Sequence, residues 1–195
     1  MIIGITGGTG CGKTTALEAI ARLGGTVIDC DRVYHELLGR DTALTDAIEA
    51  RFPGTVEEGV VHRKKLGQLV FSDEKALLDL NAITHSAVKA EVLRRHSPAP
   101  RLAAIDAIGL FEGGLSGLCD VTVAVTAPEE SRIARLMARD GITEDYAKAR
   151  IAAQKDPQWY AHQCDYVLEN NGSSQDFLVK CLAFFRQLAI IKEKP

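Results

Sequence analysis

The sequence predicts an α/β fold, a parallel sheet of five strands with helices on both faces. Three observations carry this. Short apolar runs alternate along the chain with longer segments whose apolar residues recur at helical spacing. The runs, such as Ala103-Ala104-Ile105, are near-continuously apolar, as strands buried on both faces are. Polar residues collect where the runs end: Gly7 to Thr14, Asp29 and Asp31, Asp106, and Asn170. In open parallel sheets the ligand sits at the carboxyl ends of the strands.

The elements follow in order. Ile2, Ile3 and Ile5 form the first strand, and Ala16, Leu17, Ala19, Ile20 and Leu23 the apolar face of the first helix, ended by Gly24-Gly25. Thr26-Val27-Ile28 is the second strand. Arg32 to Leu38 is a helix with Gly39 suited to its C-cap, and Leu44 to Phe52 is another, stopped by Pro53-Gly54. A polar loop is expected over Thr55 to His62. Arg63 to Phe71 is helical through Leu66, Leu69 and Val70, with Ser72-Asp73 as the next cap. Lys75 to Asn81 and Ile83 to His96 continue as helix until Ser97-Pro98-Ala99-Pro100 breaks it. Residues 33–100 are thus a helical insertion far longer than an ordinary connection. Leu102 to Ile105 is the third strand and Val121 to Val125 the fourth, with Pro128 placed for a helix start. Ser131 to Arg139 and Glu144 to Gln154 form two helices joined by Asp140 to Thr143. Tyr166-Val167-Leu168 is the fifth strand, Asn170 to Ser174 a loop and cap, and Phe177 to Ile191 the last helix.

A chain of 195 residues with 46% apolar content suits one compact domain carrying insertions. No apolar run approaches the roughly 20 residues that span a bilayer, and no signal-peptide layout opens the chain. The net charge of −3 favours no nucleic-acid partner. The five cysteines are scattered without a C-x-x-C, which speaks against a zinc site or a disulfide framework and for a reducing cytoplasm. Partners are expected to be small molecules, with neither nucleic acid nor membrane involved, and a monomer is expected.

Gly7-Gly8-Thr9-Gly10-Cys11-Gly12-Lys13-Thr14 fits G-x-x-x-x-G-K-[ST], a phosphate-binding loop between strand and helix. Glycines at Gly8, Gly10 and Gly12 let the backbone turn so that N–H groups, including those of Cys11 and Thr15, surround phosphate oxygens. Lys13 reaches the terminal phosphates as a point charge. The Thr14 hydroxyl suits Mg²⁺, and the helix N-terminus faces the same anion. ATP and Mg²⁺ are the cofactors this implies. Asp106, after Ala103-Ala104-Ile105, resembles a Walker B aspartate and is the second metal candidate; Glu112 could share its task. Asp29 and Asp31 end the second strand, where a carboxylate can take the proton of a substrate hydroxyl or cap the next helix; Asp31 is the catalytic candidate. Arg132, Arg135 and Arg139 share one helix face, and Arg150 follows on the next helix. Arg139 is the expected phosphate contact of a closing lid. Cys11 is either a thiolate favoured by the loop N–H groups and Lys13 or a small inert residue turned away from solvent; its exposure is not legible in sequence.

With these residues in place, the chain resembles the dephospho-CoA kinase family over nearly its whole length. Ile5 to Thr15 is close to the family's TGGIGSGKST, and Val27-Ile28-Asp29-Cys30-Asp31 to its VIDAD, whose second aspartate is that family's proposed base. Arg63, Leu66, Val70 and Phe71 fit its R-x-x-L-x-x-x-V-F helix. Asp106 and Leu110-Phe111-Glu112 fit its D-x-P-L-L-F-E, Arg135 to Gly141 and Ala149 to Gln154 its lid, and Asp165 with Asn170-Asn171-Gly172 its late segment. The resemblance implies a P-loop NTPase three-layer α/β/α architecture with a five-stranded parallel sheet. It divides the chain into an ATP-binding core (1–32, 101–131 and 163–195), a helical insertion gripping the CoA precursor (33–100) and a helical lid (132–162). It also implies the reaction: ATP phosphorylates the ribose 3′-hydroxyl of dephospho-CoA, giving CoA and ADP, with Asn170 at the nucleotide. Departures from the family pattern are Cys11 for serine, Ile108 and Ser86 for prolines, Gly109 for leucine and Cys164 for alanine; Lys13, Thr14 and Asp31 are intact. Another small-molecule or nucleoside-monophosphate kinase of the same fold would share the ATP machinery and differ in the insertion. A guanine-specific switch would carry N-K-x-D, which Asn170-Asn171-Gly172-Ser173 lacks.

Overall fold

Strand β1 (Ile2–Thr6) lies at the centre of a five-stranded sheet in a computed structural model of the chain. The structure describes residues 1–70, 73–96, 102–107, 109–112 and 114–193; the side chains of Asp31, Glu74, His96 and residues 191–193 lie outside that description. So do Phe71, Ser72, the break over Ser97 to Pro100, and Ile108. The other strands are β2 (Thr26–Asp29), β5 (Ala103–Asp106), β6 (Val121–Thr126) and β7 (Tyr166–Glu169). A small antiparallel pair, β3 (Val56–Glu57) and β4 (Val60–Val61), stands apart from the sheet. The order is β2-β5-β1-β6-β7, and every pairing in this sheet is parallel. The chain leaves β1 for one side of the sheet and later returns to the other, so the crevice for a ligand opens at the end of β1. Register brings the polar strand ends level: Asp106 stands opposite both Ile5 and Asp29, and Thr126 opposite Glu169.

Two cores cover the two faces. Ile3 and Ile5 point to one, where α1 (Lys13–Arg22) and α9 (Ser174–Glu193) pack through Ala16, Ile20, Cys181 and Phe185. Ile2, Ile28 and Ile105 point to the other. There they meet the inserted helices α2 (Cys30–Leu38), α3 (Thr42–Arg51), α4 (Arg63–Val70) and α5 (Glu74–His96) through Val33, Ile48, Leu66 and Val92. Period-2 alternation thus sends β1 and β5 into both cores, through Ile2 and Ile3 and through Ala104 and Ile105. Gly4 has a packing reason: a Cβ there would sit 2.7 Å from Cys119 Sγ and 2.8 Å from a Leu110 methyl. Helices α6 (Glu129–Asp140) and α7 (Glu144–Ala152) form a hairpin with its own small core of Ile133, Leu136, Ala147 and Ile151. The C-cap of α6 is Gly141 at φ +64. Among the described residues no helix is long and apolar enough to cross a membrane.

Several elements differ from expectation. The polar loop contains the β3–β4 pair, turning at Glu58 (φ 52) and Gly59 (φ 78); strands of two residues are too short to show a period. Helix α5 is one 23-residue helix, not two pieces, because Ala82 between them is a strong helix former. Asp73 accepts from Lys75 N and Ala76 N and caps it. Helix α8 (Pro157–Gln163) was not anticipated, although Asp156, which accepts from Trp159 N at 2.6 Å, and Pro157 are start signals. The α6 helix begins two residues before Ser131.

The insertion is tied together by charge. The Glu91 carboxylate on α5 is buried and accepts from Arg40 (2.5 Å), Arg94 (2.7 Å) and Arg95 (2.9 Å), while Arg95 also reaches Glu36 on α2 (2.5 Å). The Arg94 hydrogen bond is the largest cause holding the Glu91 carboxyl well below its ordinary value. A depressed folded-state pKa contributes stability above the unfolded value of about 4.5 and loses it as pH falls toward the folded value. Glu91→Gln should therefore be less stable than the wild type by ~2 kcal/mol at pH 7, and the gap in urea midpoints should narrow from about pH 4.5 downward. A gap that stays constant down to pH 3 would contradict this role.

Candidate active site

The loop after β1 turns with positive φ at Gly7 (138°), Gly10 (76°) and Gly12 (103°), where other residues are strained. Space is as limiting as torsion. A Cβ on Gly7 would lie 2.2 Å from Val125 O, and one on Gly12 2.3 Å from Asn170 Nδ2. Helix α1 starts at Lys13, so its N-terminal dipole faces the loop's concavity. Lys13 arcs back over the loop, its Nζ donating to Gly7 O (2.8 Å) and Gly8 O (3.3 Å). Burial lowers its pKa, and the nearby Asp106 carboxylate opposes that shift.

A cleft of about 710 Å³ opens here, lined by Gly10, Gly12, Lys13, Thr14, Asp106 and Arg139 among others. Sequence reasoning placed all six at one site, and the structure brings them together. Thr15 lies in the first turn of α1, its N–H donating to Gly12 O at 3.0 Å. Gly8 and Cys11 face the back of the loop, beside Arg132 and Tyr160. Asn170 is buried: its Nδ2 donates to Cys11 O at 2.9 Å and its Oδ1 accepts from Arg135 at 3.1 Å, so its side chain braces the loop from behind. Asp29 accepts from Arg32 N at 2.9 Å and is the N-cap of α2. Asp31 follows in the first turn of α2, at the same edge of the sheet; its side chain lies outside the described residues.

The arginines divide into two pairs. Arg132, 3% exposed, donates from Nε to Thr9 O at 2.9 Å, and Arg135 donates to Gly10 O at 3.2 Å. Arg139 and Arg150, both lining the cleft, share one carboxylate: Asp140 accepts from Arg139 at 2.6 and 2.9 Å and from Arg150 at 2.6 Å. These bonds, Arg139's first, pull the Asp140 carboxyl down to about 2. Neither the bracing by Asn170 nor the pairing through Asp140 was read from sequence. Asn170 meets Cys11 across 159 positions, and a contact at that range leaves no periodic signal. Gln154, which accepts from Thr9 N, was legible in sequence as the end of a helix and of the segment resembling a lid, not as a partner of the loop.

A second cavity of about 280 Å³ lies between α2, α5 and the end of β5, lined by Cys30, Tyr34, Asn81, Thr84, His85 and Ala107 among others. Burial pushes the Tyr34 hydroxyl pKa up and the His85 pKa down. The two cavities adjoin in sequence. Asp106 lines the first and Ala107 the second, and Cys30 of the second stands between Asp29 and Asp31.

A phosphate loop ending the central strand of this parallel sheet, a cleft holding Lys13 with three arginines, and an inserted helical unit with its own cavity define a P-loop phosphotransferase of the small-molecule kinase class. Comparison with known proteins narrows the class. The sequence model of the family described as CoaE, dephospho-CoA kinase, matches residues 1–176. A dephospho-CoA kinase of Mesorhizobium japonicum is 39% identical over 173 residues, 87% of this chain and 87% of that protein. A crystal structure of a Thermus thermophilus protein is 32% identical with a TM-score of 0.78, covering 96% of this chain and 97% of that one. The dephospho-CoA kinase of Campylobacter jejuni, 24% identical, shares the fold with a TM-score of 0.68, covering 98% of each chain. The chain belongs to the dephospho-CoA kinase family.

The thiol question is answered by burial: Cys11 is 2% exposed, packed within the core that α1 and α9 share with the sheet. The half-buried Cys119 and Cys164 have thiols pushed up to about 12 and about 11, burial being the main cause, so they too react slowly at neutral pH. Iodoacetamide at pH 7.5 should inactivate wild type and Cys11→Ser at the same slow rate. Peptide mass spectrometry showing Cys11 as the first site alkylated would contradict this.

Proposed function

We propose that the chain transfers the γ-phosphoryl group of ATP to the ribose 3′-hydroxyl of dephospho-CoA, giving CoA and ADP. Family membership supplies the substrate. The observation that carries the reading is the adjacency of the two cavities at the ends of β2 and β5: the donor phosphates belong in the cleft of Lys13, and the acceptor enters from the insertion side. On this reading residues 1–32, 101–131 and 163–195 are the ATP-binding core, 33–100 the acceptor-binding unit and 132–162 the lid. The separate small core of the α6–α7 hairpin supports the last assignment, because a unit that packs on itself can move as one body.

In the transfer, a bond forms between the acceptor 3′-oxygen and the γ-phosphorus as the bridging bond to the β-phosphate breaks. The loop N–H groups and the α1 N-terminus hold the phosphate oxygens, and Lys13 spans the terminal phosphates. Lys13 must leave the Gly7 and Gly8 carbonyls to do so, and its lowered pKa reflects the desolvation that strengthens its pull on phosphate. Arg139, with Arg150 beside it, faces the charge that accumulates on the transferring group. Asp31 receives the proton of the 3′-hydroxyl. Thr14 and Asp106 both line the cleft, and one hydroxyl with one carboxylate suits Mg²⁺, which keeps waters and substrate phosphates as its other ligands. Bound there, Mg²⁺ would offset the negative charge of the nucleotide phosphates. The free cysteines suit a reducing cytoplasm.

The test is direct formation of CoA from dephospho-CoA and Mg-ATP, against a panel of other alcohols and nucleoside monophosphates. Preference for any other acceptor would overturn the assignment. Lys13→Ala should lower kcat by about 10²–10³-fold with the fold retained; near-normal turnover would remove Lys13 from the transition state. Asp31→Asn should lower kcat by at least ~10²-fold while ATP affinity changes little. The opposite pattern, ATP affinity lost with saturated turnover unchanged, would make Asp31 a nucleotide ligand instead.

A further inference from the structure

Both backbone polar groups of Thr9, in the middle of the phosphate loop, are held by the α6–α7 hairpin. Thr9 N–H donates to Gln154 Oε1 at 2.7 Å, and Thr9 C=O accepts from Arg132 Nε at 2.9 Å. Arg132 Nη2 also donates to the same Gln154 oxygen at 3.4 Å, which closes the arrangement into a ring. Arg132 lies in the first turn of α6 and Gln154 two residues beyond the end of α7, so both stems of the hairpin converge on one residue of the loop. The flanking glycines make the approach possible. A Cβ on Gly8 would lie 2.5 Å from Arg132 Nη2, and one on Gly10 2.9 Å from Arg132 O.

We infer that Gln154 and Arg132 are positioning residues that set the affinity of the loop for its nucleotide through the backbone of Thr9. This rests on the reading of the cleft as the ATP site. A trans peptide places its N–H opposite its C=O. Arg132, Arg135 and Asn170 hold three successive carbonyls, those of Thr9, Gly10 and Cys11. The N–H groups of Gly10 and Gly12, each in the same peptide as one of those carbonyls, are thereby turned the opposite way, and both residues line the cleft. Thr9 N–H, which precedes this series, is taken by Gln154. Without that acceptor Thr9 is held on one side only, and the loop must be ordered when the nucleotide binds.

Gln154→Met keeps the length of the side chain and removes the acceptor; Gln154→Glu keeps the acceptor. In the full chain, amide exchange at Thr9 should speed up at least tenfold in Gln154→Met with the thermal midpoint unchanged, and return toward wild type in Gln154→Glu. The dissociation constant and KM for Mg-ATP should rise roughly five- to tenfold while KM for dephospho-CoA stays constant. A merely structural role would instead lower kcat and leave KM for ATP where it was. Arg132→Met added to Gln154→Met should weaken ATP binding less than Arg132→Met does alone. If Gln154→Met leaves Thr9 exchange and ATP affinity at wild-type values, the inference is wrong. The exchange and ATP-binding readouts need no acceptor, so they stand even if dephospho-CoA proves not to be the substrate.

Discussion

The orientation of a few peptide groups after β1 is the constraint on which the rest of the structure depends. A loop of this kind can offer an anion its backbone N–H groups only if the chain adopts positive φ at Gly7, Gly10 and Gly12 and the opposing carbonyls find partners. The central strand, buried throughout, anchors one end of the loop and helix α1 the other. Val125 O, Arg132 and Asn170 stand where any Cβ would have to go, which excludes side chains from the glycine positions on grounds of space as well as torsion.

Charge around the cleft is arranged so that cations can crowd without an anion from outside the chain. Arg132 and Arg135 are satisfied by loop carbonyls and Asn170, while Arg139 and Arg150 share Asp140. One carboxylate between two guanidiniums brings both to the rim where Lys13 lies. The nearby arginines add to the depression of the Lys13 pKa that burial begins, and Asp106 opposes it. The overall charge of −3 conceals this local excess of positive charge.

The insertion serves the site in a different way. Its helices cover the second face of the sheet and carry α2, and with it Asp31, at the edge where β2 ends. The contact of Glu91 with three arginines, and of Arg95 with Glu36, fixes α5 against α2 and so frames the second cavity. Buried carboxylates of this kind are stable only when every partner is present.

Local chemistry determined much of this in advance. The glycine–lysine–threonine spacing, the apolar strands and the carboxylates after them are short-range signals, and they identified the parallel sheet, the phosphate loop and the meeting of Lys13, Thr14, Asp106 and Arg139 in one cleft. Asp156 and Pro157, which start α8, are a local signal of the same kind. Tertiary structure alone decided that Cys11 is buried, that Asn170 and Gln154 brace the loop, that the arginines of the α6–α7 hairpin split between loop carbonyls and Asp140, and that Asp106 lines one cavity and Ala107 the other. The reason is range. Periodicity and capping act over a few residues, whereas Asn170 meets Cys11 across 159 positions and Gln154 meets Thr9 across 145, and only the folded sheet brings such groups within hydrogen-bonding distance.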